Sequence, residues 1–481
     1  MTNKKNRRDF LKTSTVAGAG FFLVPRHVLG GPGYTAPSDQ LAIAAIGAGG
    51  KGNSDIRNAW NNGKNRVIAL CDVDPKQAVT SVKRFPDAKF YSDFRELLDK
   101  EDGLDAVTIS TPDHTHAVIA YNAMMKGLHV YVQKPITHTL AEARLLTETA
   151  ASQRVVTQMG NQGGSNPGVQ KVIDWVDKKR IGTITKVYIW TNRPVWPQGI
   201  GFPKADPASK PDDLAWDLWL GPASSRSFTP NLHPFNWRGF WDFGTGALGD
   251  MGCHLFDAPY KALKLGYPTG VQASVADMYS RMWSPDYVPE GCPVASRVSI
   301  DFPKDANNPE GVVIEWTDGG IMPVIPDEIA DKFKPDWSGG AIMMGQKGII
   351  TVDTYGDNPK LYIGGQQADT LDTSQAGNLD LIHNQSWTEA CKAGYGSKEH
   401  LALASSFDYA GPFTETVLMG NLAIRAYQVR NESRKYNGEV SYDYFGRKKL
   451  YWDGKSMKIT NLPEINDFVT KKYREGFTLP V

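Results

Sequence analysis

The stretch LAIAAIGAGGKGNSD, residues 41–55, decides the fold of the chain. Its apolar residues 41–46 predict a short buried strand, and a helix-compatible segment follows the glycines. Gly47, Gly49 and Gly52 fit the pattern G-x-G-x-x-G. Glycines at these positions allow a tight turn, close approach of the backbone to a pyrophosphate and close packing of helix on strand. The stretch therefore predicts the first strand and helix of a Rossmann dinucleotide-binding domain.

The stretch VIALCDVDP, residues 67–75, provides a second test of that prediction. It reads as the next strand and places Asp72 at its end, at the distance where an acidic residue contacts the adenosine ribose. A carboxylate there accepts a hydrogen bond from the 2′-hydroxyl and repels a 2′-phosphate. We therefore expect NAD as the cofactor, with NADP disfavoured.

Two further strands, over residues 104–110 and 129–132, continue the alternation of strands and helices. The first is followed by TPDHTH and the second by QKPIT. Ligands of such parallel sheets bind beyond the carboxyl ends of the strands. Thr111, Pro112 and Lys134 lie at such ends, so we expect Lys134 to point toward the nicotinamide.

The stretch FNWRGFWDFGTGALGDMGCH, residues 235–254, carries a candidate partner for Lys134. Asp250 and His254 are spaced i, i+4, which puts them on one face of a helix. Histidine suits proton removal from a hydroxyl because its pKa lies near neutrality. A lysine can stabilise the charge that develops on the oxygen.

Composition and charge exclude several classes of protein. A chain of 481 residues is too long to fold around a single hydrophobic core, so two or more domains are expected. The net charge of +1 argues against a nucleic-acid partner. The four cysteines are widely spaced, and this spacing predicts that they are isolated buried thiols. A zinc site from His233, Asp250, His254 and His383 is conceivable, but nothing in their spacing requires it, so no metal is predicted.

The first residues predict an export signal. Arg7 and Arg8 precede a short apolar run over residues 16–24, which resembles a twin-arginine signal. Residues 28–30, VLG, are a poor cleavage site, so the segment is either removed or kept as a membrane anchor. We expect a periplasmic protein exported by the twin-arginine machinery. Because that compartment lacks free nicotinamide nucleotide, such an enzyme should hold its cofactor tightly.

The glycine motif, TPxxxH at residues 111–116, the KP pair and GDMGCH together resemble the glucose–fructose oxidoreductase / inositol dehydrogenase / MocA family. The resemblance implies an α/β fold: a Rossmann domain followed by an α/β domain with an open, mostly antiparallel sheet. It implies Lys134, Asp250 and His254 as catalytic residues. It also implies dimers or tetramers formed through the open sheet. Where the family has the motif E-K-P, this chain has Gln133 in place of the glutamate, which removes a negative charge next to Lys134.

The remaining site residues follow from their places in the sequence. The predicted cofactor-binding residues are Gly47, Gly49, Gly52, Asp72, Thr111, Pro112, His116, Gln133 and Lys134. The predicted substrate contacts are Arg193, Trp237, Arg238 and His254. The aromatic residues able to form a sugar platform, or simply to pack in the core, are Trp196, Trp216, Trp219, Trp237 and Trp241.

The expected domains are a signal and linker over residues 1–35, a Rossmann domain over 36–165, a substrate and oligomerisation domain over 166–435 and a C-terminal arm over 436–481. The main hypothesis is an oxidoreductase with tightly bound NAD that acts on a hydroxyl of a sugar or glycoside. One alternative is a redox-neutral, NAD-dependent glycoside hydrolase. A second is a nucleotide-loaded sugar-binding protein without activity, supported only by Gln133.

Overall fold

The computed structural model of the protein describes residues 39–436 and 439–481. The export signal predicted over residues 1–35 lies outside these residues. Among the helices of the described part, none is both long and apolar enough to cross a membrane.

The first sheet has six strands, all parallel, in the order β3-β2-β1-β4-β5-β6. They are β1 (Ala42–Ile46), β2 (Arg66–Cys71), β3 (Lys89–Tyr91), β4 (Ala106–Ile109), β5 (His129–Val132) and β6 (Thr157–Met159). The order reverses between β1 and β4, which is the switch point where this fold binds dinucleotides. The predicted Rossmann domain is confirmed.

Five helices connect these strands: α1 (Lys51–Trp60), α2 (Pro75–Arg84), α3 (Phe94–Lys100), α4 (Asp113–Met125) and α5 (Leu140–Gln153). Local sequence explains where several of them begin. Asp74 caps α2 by accepting a hydrogen bond from the Lys76 backbone N–H. Thr139 and Glu142 form a reciprocal capping box at the start of α5. These caps fix the loops that leave the carboxyl ends of the strands.

The second sheet has ten strands in the order β14-β13-β12-β11-β7-β10-β9-β8-β17-β18. They are β7 (Ile184–Thr191), β8 (Gly270–Val275), β9 (Ser296–Phe302), β10 (Val312–Thr317), β11 (Gly339–Gly345), β12 (Gly348–Asp353), β13 (Lys360–Ile363), β14 (Gln366–Thr370), β17 (Leu450–Asp453) and β18 (Lys458–Ile459). Only β7 and β10 pair in parallel; the other neighbours are antiparallel. The predicted open, mostly antiparallel sheet is confirmed.

The remaining helices are α6 (Pro167–Asp177), α7 (Trp216–Leu220), α8 (Gly246–Leu255), α9 (Asp257–Ala262), α10 (Leu379–Ala393), α11 (Lys398–Leu401) and α12 (Phe407–Gln428). Helix α12 contacts α5, α8 and β8, so it joins the two sheets through one apolar core. Because α8 carries Asp250 and His254, this packing sets their position relative to the first sheet.

The C-terminal region begins with an antiparallel hairpin of β15 (Asn431–Tyr436) and β16 (Glu439–Asp443). Strand β17 then extends the second sheet beside β8. The last residues return to the Rossmann domain, where Lys471 Nζ lies 2.9 Å from Glu142 Oε1 on α5. The arm therefore connects both halves of the chain.

Candidate active site

A cavity of about 720 Å³ lies beyond the carboxyl ends of β1, β2, β4 and β5. Residues of the Rossmann domain and of the following domain line it together. We call the part around the glycine motif and Asp72 the nucleotide half. The part around Lys134, Asp250 and His254 is the substrate half.

Two glycines of the motif lie where backbone segments of the nucleotide half pack closely. Gly47 has φ +80°, and a Cβ there would lie 2.7 Å from the carbonyl carbon of Ser110. A Cβ at Gly52 would lie 1.7 Å from the carbonyl oxygen of Gly47. Neither position tolerates a side chain, because β1, β4 and α1 approach each other too closely. The turn ends at the start of α1, where a pyrophosphate is favoured by the helix dipole.

Asp72 lines the cavity at the end of β2, as expected. Its Oδ2 accepts a hydrogen bond from the Gly49 backbone N–H at 2.9 Å, and its Oδ1 accepts one from Asp74 at 2.9 Å. Burial raises the pKa of Asp72, and these two backbone donors oppose that shift. The carboxylate is thus fixed beside the glycine turn, which is the geometry that a ribose contact requires.

Gln133 belongs to a buried network that the sequence did not reveal. Its Nε2 donates to Asp55 Oδ2 at 2.9 Å, and Ser110 Oγ donates to the same oxygen at 2.8 Å. Lys51 Nζ lies 2.7 Å from Asp55 Oδ1 and 2.9 Å from Asp380 Oδ1. The Asp55 side chain is fully buried. An amide at position 133 donates to this carboxylate, whereas a glutamate would place a like charge against it.

Lys134 and Asp250 form the centre of the substrate half. Lys134 Nζ donates to Asp250 Oδ1 at 2.8 Å and to the Asp250 backbone carbonyl at 2.7 Å. Burial raises the pKa of Asp250, but the charges of Lys134 and Arg238 outweigh it and lower the value to about 2. Asp250 is therefore an anion at any ordinary pH, and it holds the lysine in place.

His254 lies one helical turn after Asp250 and also lines the cavity. Burial, followed by the charge of Lys134, lowers the pKa of His254 well below its ordinary value. Its Nδ1 is buried without a hydrogen-bond partner among the residues that the structure describes. The neutral imidazole packs edge to face on Tyr355, with ring centroids 4.8 Å apart. A neutral histidine in such a place can accept a proton.

Two of the predicted substrate contacts, Arg193 and Arg238, lie beside Asp250, and a third, Trp237, lies beside Arg238. Arg238 Nε lies 3.5 Å from Asp250 Oδ1, and Arg193 Nε lies 3.9 Å from Asp250 Oδ2. The guanidinium of Arg238 lies over the ring of Trp237 at 4.3 Å. Arg193, Trp237 and Arg238 all line the cavity. Together they give the substrate half a positive wall beside an aromatic one.

Some of the other predicted residues line the cavity, and others contact the loops and strands around it. Thr111 and Pro112 line the cavity at the end of β4. His116 lines it too, but its ring nitrogens lie 2.8 Å from the carbonyl oxygens of Thr111 and Pro135. His116 is therefore placed to hold together the loops that follow β4 and β5. His383 does not line the cavity; its Nε2 lies 2.8 Å from the Met159 carbonyl oxygen.

The tryptophans mostly pack in the core. Trp216 and Trp219 stack with centroids 4.7 Å apart, inside a cluster of apolar residues from the same stretch of chain. Trp196, Trp219 and Trp237 each present part of their surface to the cavity. The four cysteines are buried and unpaired, as expected. In the described ranges, no group of three His, Cys, Asp or Glu is arranged to hold a metal ion.

The C-terminal tail forms part of the nucleotide half. Phe477 lines the cavity, and the guanidinium of Arg95 lies over its ring at 4.4 Å. Arg474 donates from Nε to the Gly221 carbonyl at 2.9 Å and forms an ion pair with Asp217. The tail is therefore tied to both sides of the cavity rim.

Several lining residues were not predicted from the sequence. Lys51 could have been, because it lies inside the glycine motif, four residues before Asp55. Tyr355, Asp380 and Phe477 carry no motif and lie far along the chain, so only the fold brings them to the cavity.

Two family models match the chain. Residues 41–161 match the Gfo/Idh/MocA model described as "Oxidoreductase family, NAD-binding Rossmann fold". Residues 169–267 match the model of that family's C-terminal alpha/beta domain.

Curated relatives match over part of their length. A glycosyl hydrolase family 109 protein of Shewanella pealeana is 31% identical over 170 residues, which is 31% of this chain and 37% of that protein. Levoglucosan dehydrogenase of Pseudarthrobacter phenanthrenivorans is 27% identical over 192 residues, 40% of each chain. The chain thus spans less than half the length of these two relatives.

The solved structures match over most of their length and show the fold. Levoglucosan dehydrogenase in complex with NADH and levoglucosan aligns with a TM-score of 0.54 and 18% identity. The alignment covers 80% of this chain and 97% of that one.

Proposed function

Because the chain belongs to the Gfo/Idh/MocA oxidoreductase family, we propose that it oxidises or reduces a hydroxyl-bearing carbon of a sugar or glycoside. One observation carries the proposal. Lys134, Asp250 and His254, from separate parts of the sequence, line one cavity with the glycine motif and Asp72. A nicotinamide dinucleotide bound in that cavity would supply the hydride acceptor.

The chain's own residues supply the proton chemistry. His254, neutral because its pKa is lowered, accepts the proton of the substrate hydroxyl. Lys134 donates a hydrogen bond to the same oxygen and stabilises its developing negative charge. Asp250 keeps the ammonium group of Lys134 within 2.8 Å and so orients it. In the reverse direction His254 returns the proton.

We propose NAD as the cofactor, tightly held. The half-buried carboxylate of Asp72 supports NAD over NADP, since a 2′-phosphate beside it would be repelled. The tail residues Arg474 and Phe477 support tight binding, because the tail is tied across the rim of the nucleotide half.

The location and assembly of the protein belong to the same proposal. Arg7 and Arg8, with the apolar run behind them, support export to the periplasm by the twin-arginine machinery. The broad second sheet supports a homo-oligomer, a dimer or tetramer, through its open face.

A redox-neutral glycoside hydrolase is a second candidate. Similarity to glycosyl hydrolase family 109 proteins of Shewanella pealeana and Solibacter usitatus favours it. The same Lys134 and His254 would serve a cycle that oxidises the sugar, eliminates the aglycone, adds water and reduces the product again. The third candidate, a binding protein without activity, rests on Gln133. It is weakened because Gln133 pairs with Asp55 and leaves the contact of Lys134 with Asp250 intact.

The test uses the protein as purified, with no nucleotide added. Free sugars and glycosides are added one at a time, and the near-ultraviolet absorbance of reduced nicotinamide is followed. We expect a rise stoichiometric with the protein, reversed by a keto-sugar. Release of free sugar without a lasting rise would identify the hydrolase. Protein that contains no nucleotide and binds none would overturn the proposal.

A further inference from the structure

A second, smaller cavity adjoins the substrate half. Its volume is about 250 Å³, and Arg193, Met251 and Tyr355 line both it and the main cavity. A ligand seated beside His254 can therefore extend past Tyr355 without leaving the protein surface. We call this smaller cavity the side recess.

The side recess is lined by hydrogen-bonding groups that the proposed reaction does not use. They include the carboxylates of Asp336 and Asp353, the hydroxyl of Ser338 and the amide of Asn358. Asn358 Nδ2 donates to Asp353 Oδ2 at 3.2 Å, which orients that carboxylate. Carboxylates accept hydrogen bonds, and amide and hydroxyl groups both donate and accept them. The side recess therefore offers both donors and acceptors to the hydroxyl groups of a polyol.

An exposed tryptophan belongs to a chain segment that lines the side recess. Trp337 lies between the lining residues Asp336 and Ser338, and its side chain is 58% exposed. The end of the indole lies over Gly320, where an added Cβ would be 2.8 Å from Cη2 of Trp337. Ligand sites commonly combine a large, flat apolar side chain with a few polar groups, and this segment carries both.

Tyr355 separates the two cavities. Its backbone has φ +65°, a left-handed conformation that is costly for an aromatic residue and persists where the surroundings impose it. Its ring packs against His254, with the centroids 4.8 Å apart. The sugar carbon that reacts at His254 is therefore one tyrosine away from the polar groups of the side recess.

We propose that the side recess is a subsite for a second sugar unit, so that the substrate is a disaccharide or a larger glycoside. The inference rests on the proposed function, since it assigns the reacting unit to the substrate half. The volume of the side recess agrees with this assignment. Cavities that enclose whole small-molecule ligands have volumes of roughly 300–1,000 Å³. The recess is slightly smaller, which suits one additional sugar ring. The glycosidic bond passes between Arg193 and Tyr355.

The test compares glucose and galactose with cellobiose, maltose and lactose. Binding to the purified protein is measured by calorimetry, and the reduction of bound nicotinamide is measured alongside it. Four proteins are compared: the unaltered chain, Trp337→Ala, Asp353→Asn, and Trp283→Ala as the matched control for Trp337→Ala. Trp283 is 87% exposed, and its chain neighbours line neither cavity, whereas both neighbours of Trp337 line the recess. Asp353→Asn serves as a second variant that alters the recess without changing its size.

At least one disaccharide should bind about tenfold more tightly than its monosaccharide unit, a step of about 1.4 kcal/mol. Trp337→Ala and Asp353→Asn should abolish that advantage and leave monosaccharide binding unchanged, while Trp283→Ala changes neither. Equal binding of mono- and disaccharides, or an equal loss for both in Trp337→Ala, would overturn the subsite. Disaccharide binding without any reduction of nicotinamide would support the subsite and refute the proposed oxidation.

Discussion

The two halves of the main cavity differ in how the sequence builds them. The nucleotide half is mostly local: Gly47, Gly49 and Asp72 come from two neighbouring strand ends. The substrate half joins Lys134, just beyond the end of β5, to Asp250 and His254 on a helix more than a hundred residues later. Tyr355 follows after a further hundred residues. The proposed cofactor site thus depends on a short motif, whereas the proposed catalytic site depends on how two domains pack.

The halves also differ in their electrostatics. In the nucleotide half, burial raises the pKa of Asp72, and backbone donors hold the carboxylate. In the substrate half, cations lower the pKa of Asp250 to about 2, and burial beside Lys134 keeps His254 neutral. Under the proposed function, one half binds the nucleotide and the other transfers a proton. Substitutions in the two halves should therefore change different measurements.

The largest effect is expected for His254→Asn. Loss of the proton acceptor should lower kcat about 10²–10⁴-fold, the usual contribution of a general base. The nucleotide that copurifies should be unchanged. His233→Asn is the matched control in the nucleotide half, where His233 Nε2 lies 2.8 Å from Asp74 Oδ2. A control variant as inactive as His254→Asn would contradict the division between the halves.

Gln133→Glu should destabilise the fold. The new carboxylate faces the buried Asp55, and leaving such a pair without its hydrogen bond costs about 1–3 kcal/mol. Like-charge repulsion should raise the pKa of one of the two carboxyls above its unfolded value. The folded variant then binds more protons than the unfolded chain, so its free energy of unfolding falls as pH rises through the raised pKa.

Thermal denaturation across pH measures this effect. Gln133→Met is the control, because it removes the amide without adding a charge; its loss of stability should not depend on pH. If the two variants showed the same pH dependence, the pairing of Gln133 with Asp55 would not explain the departure from the family motif.

Asp72→Asn should weaken NAD binding about tenfold, which is close to the roughly 1.5–3 kcal/mol of a hydrogen bond to a charged group. Binding of NADP should weaken less, because the repulsion of its 2′-phosphate is removed together with the ribose contact. Calorimetry with both nucleotides measures the ratio of their dissociation constants. An unchanged ratio would argue against Asp72 as the residue that selects NAD.

Phe477→Ala should speed release of the nucleotide roughly two- to fivefold, because it removes a contact with Arg95 of about 0.5–1 kcal/mol. Chemistry in the substrate half should be unaffected. Release is followed by trapping the freed nucleotide with a second enzyme. A lower kcat with an unchanged rate of nucleotide release would contradict the assignment of the tail to the nucleotide half.

The smallest effect is expected in the pH dependence of kcat/KM. An ordinary imidazole, with a pKa of about 6.5, would lose most of its basic form in mildly acidic buffer. The lowered pKa of His254 keeps it neutral there, so kcat/KM should stay nearly constant below neutrality and fall only at more acidic pH. A pH profile with an acid limb at the ordinary imidazole value would contradict a depressed pKa.

The sequence predicted what local patterns determine. The Rossmann strands, Asp72 and the pair Asp250 and His254 follow from periodicity and spacing within a few dozen residues. The partners of Gln133 and the approach of Tyr355 to His254 do not. Asp380 reaches Lys51 from more than three hundred residues away, through the packing of α10 on α1. Such contacts depend on tertiary structure, which no short window of sequence contains.

The most direct test of the central claim follows a hydrogen isotope. A sugar carrying deuterium on its carbinol carbons is mixed with the protein as purified, and the reaction is quenched within one turnover. Mass spectrometry of the released nucleotide should find deuterium in the nicotinamide of the unaltered protein and none in His254→Asn. Turnover of the sugar with no deuterium in the nucleotide would contradict the account.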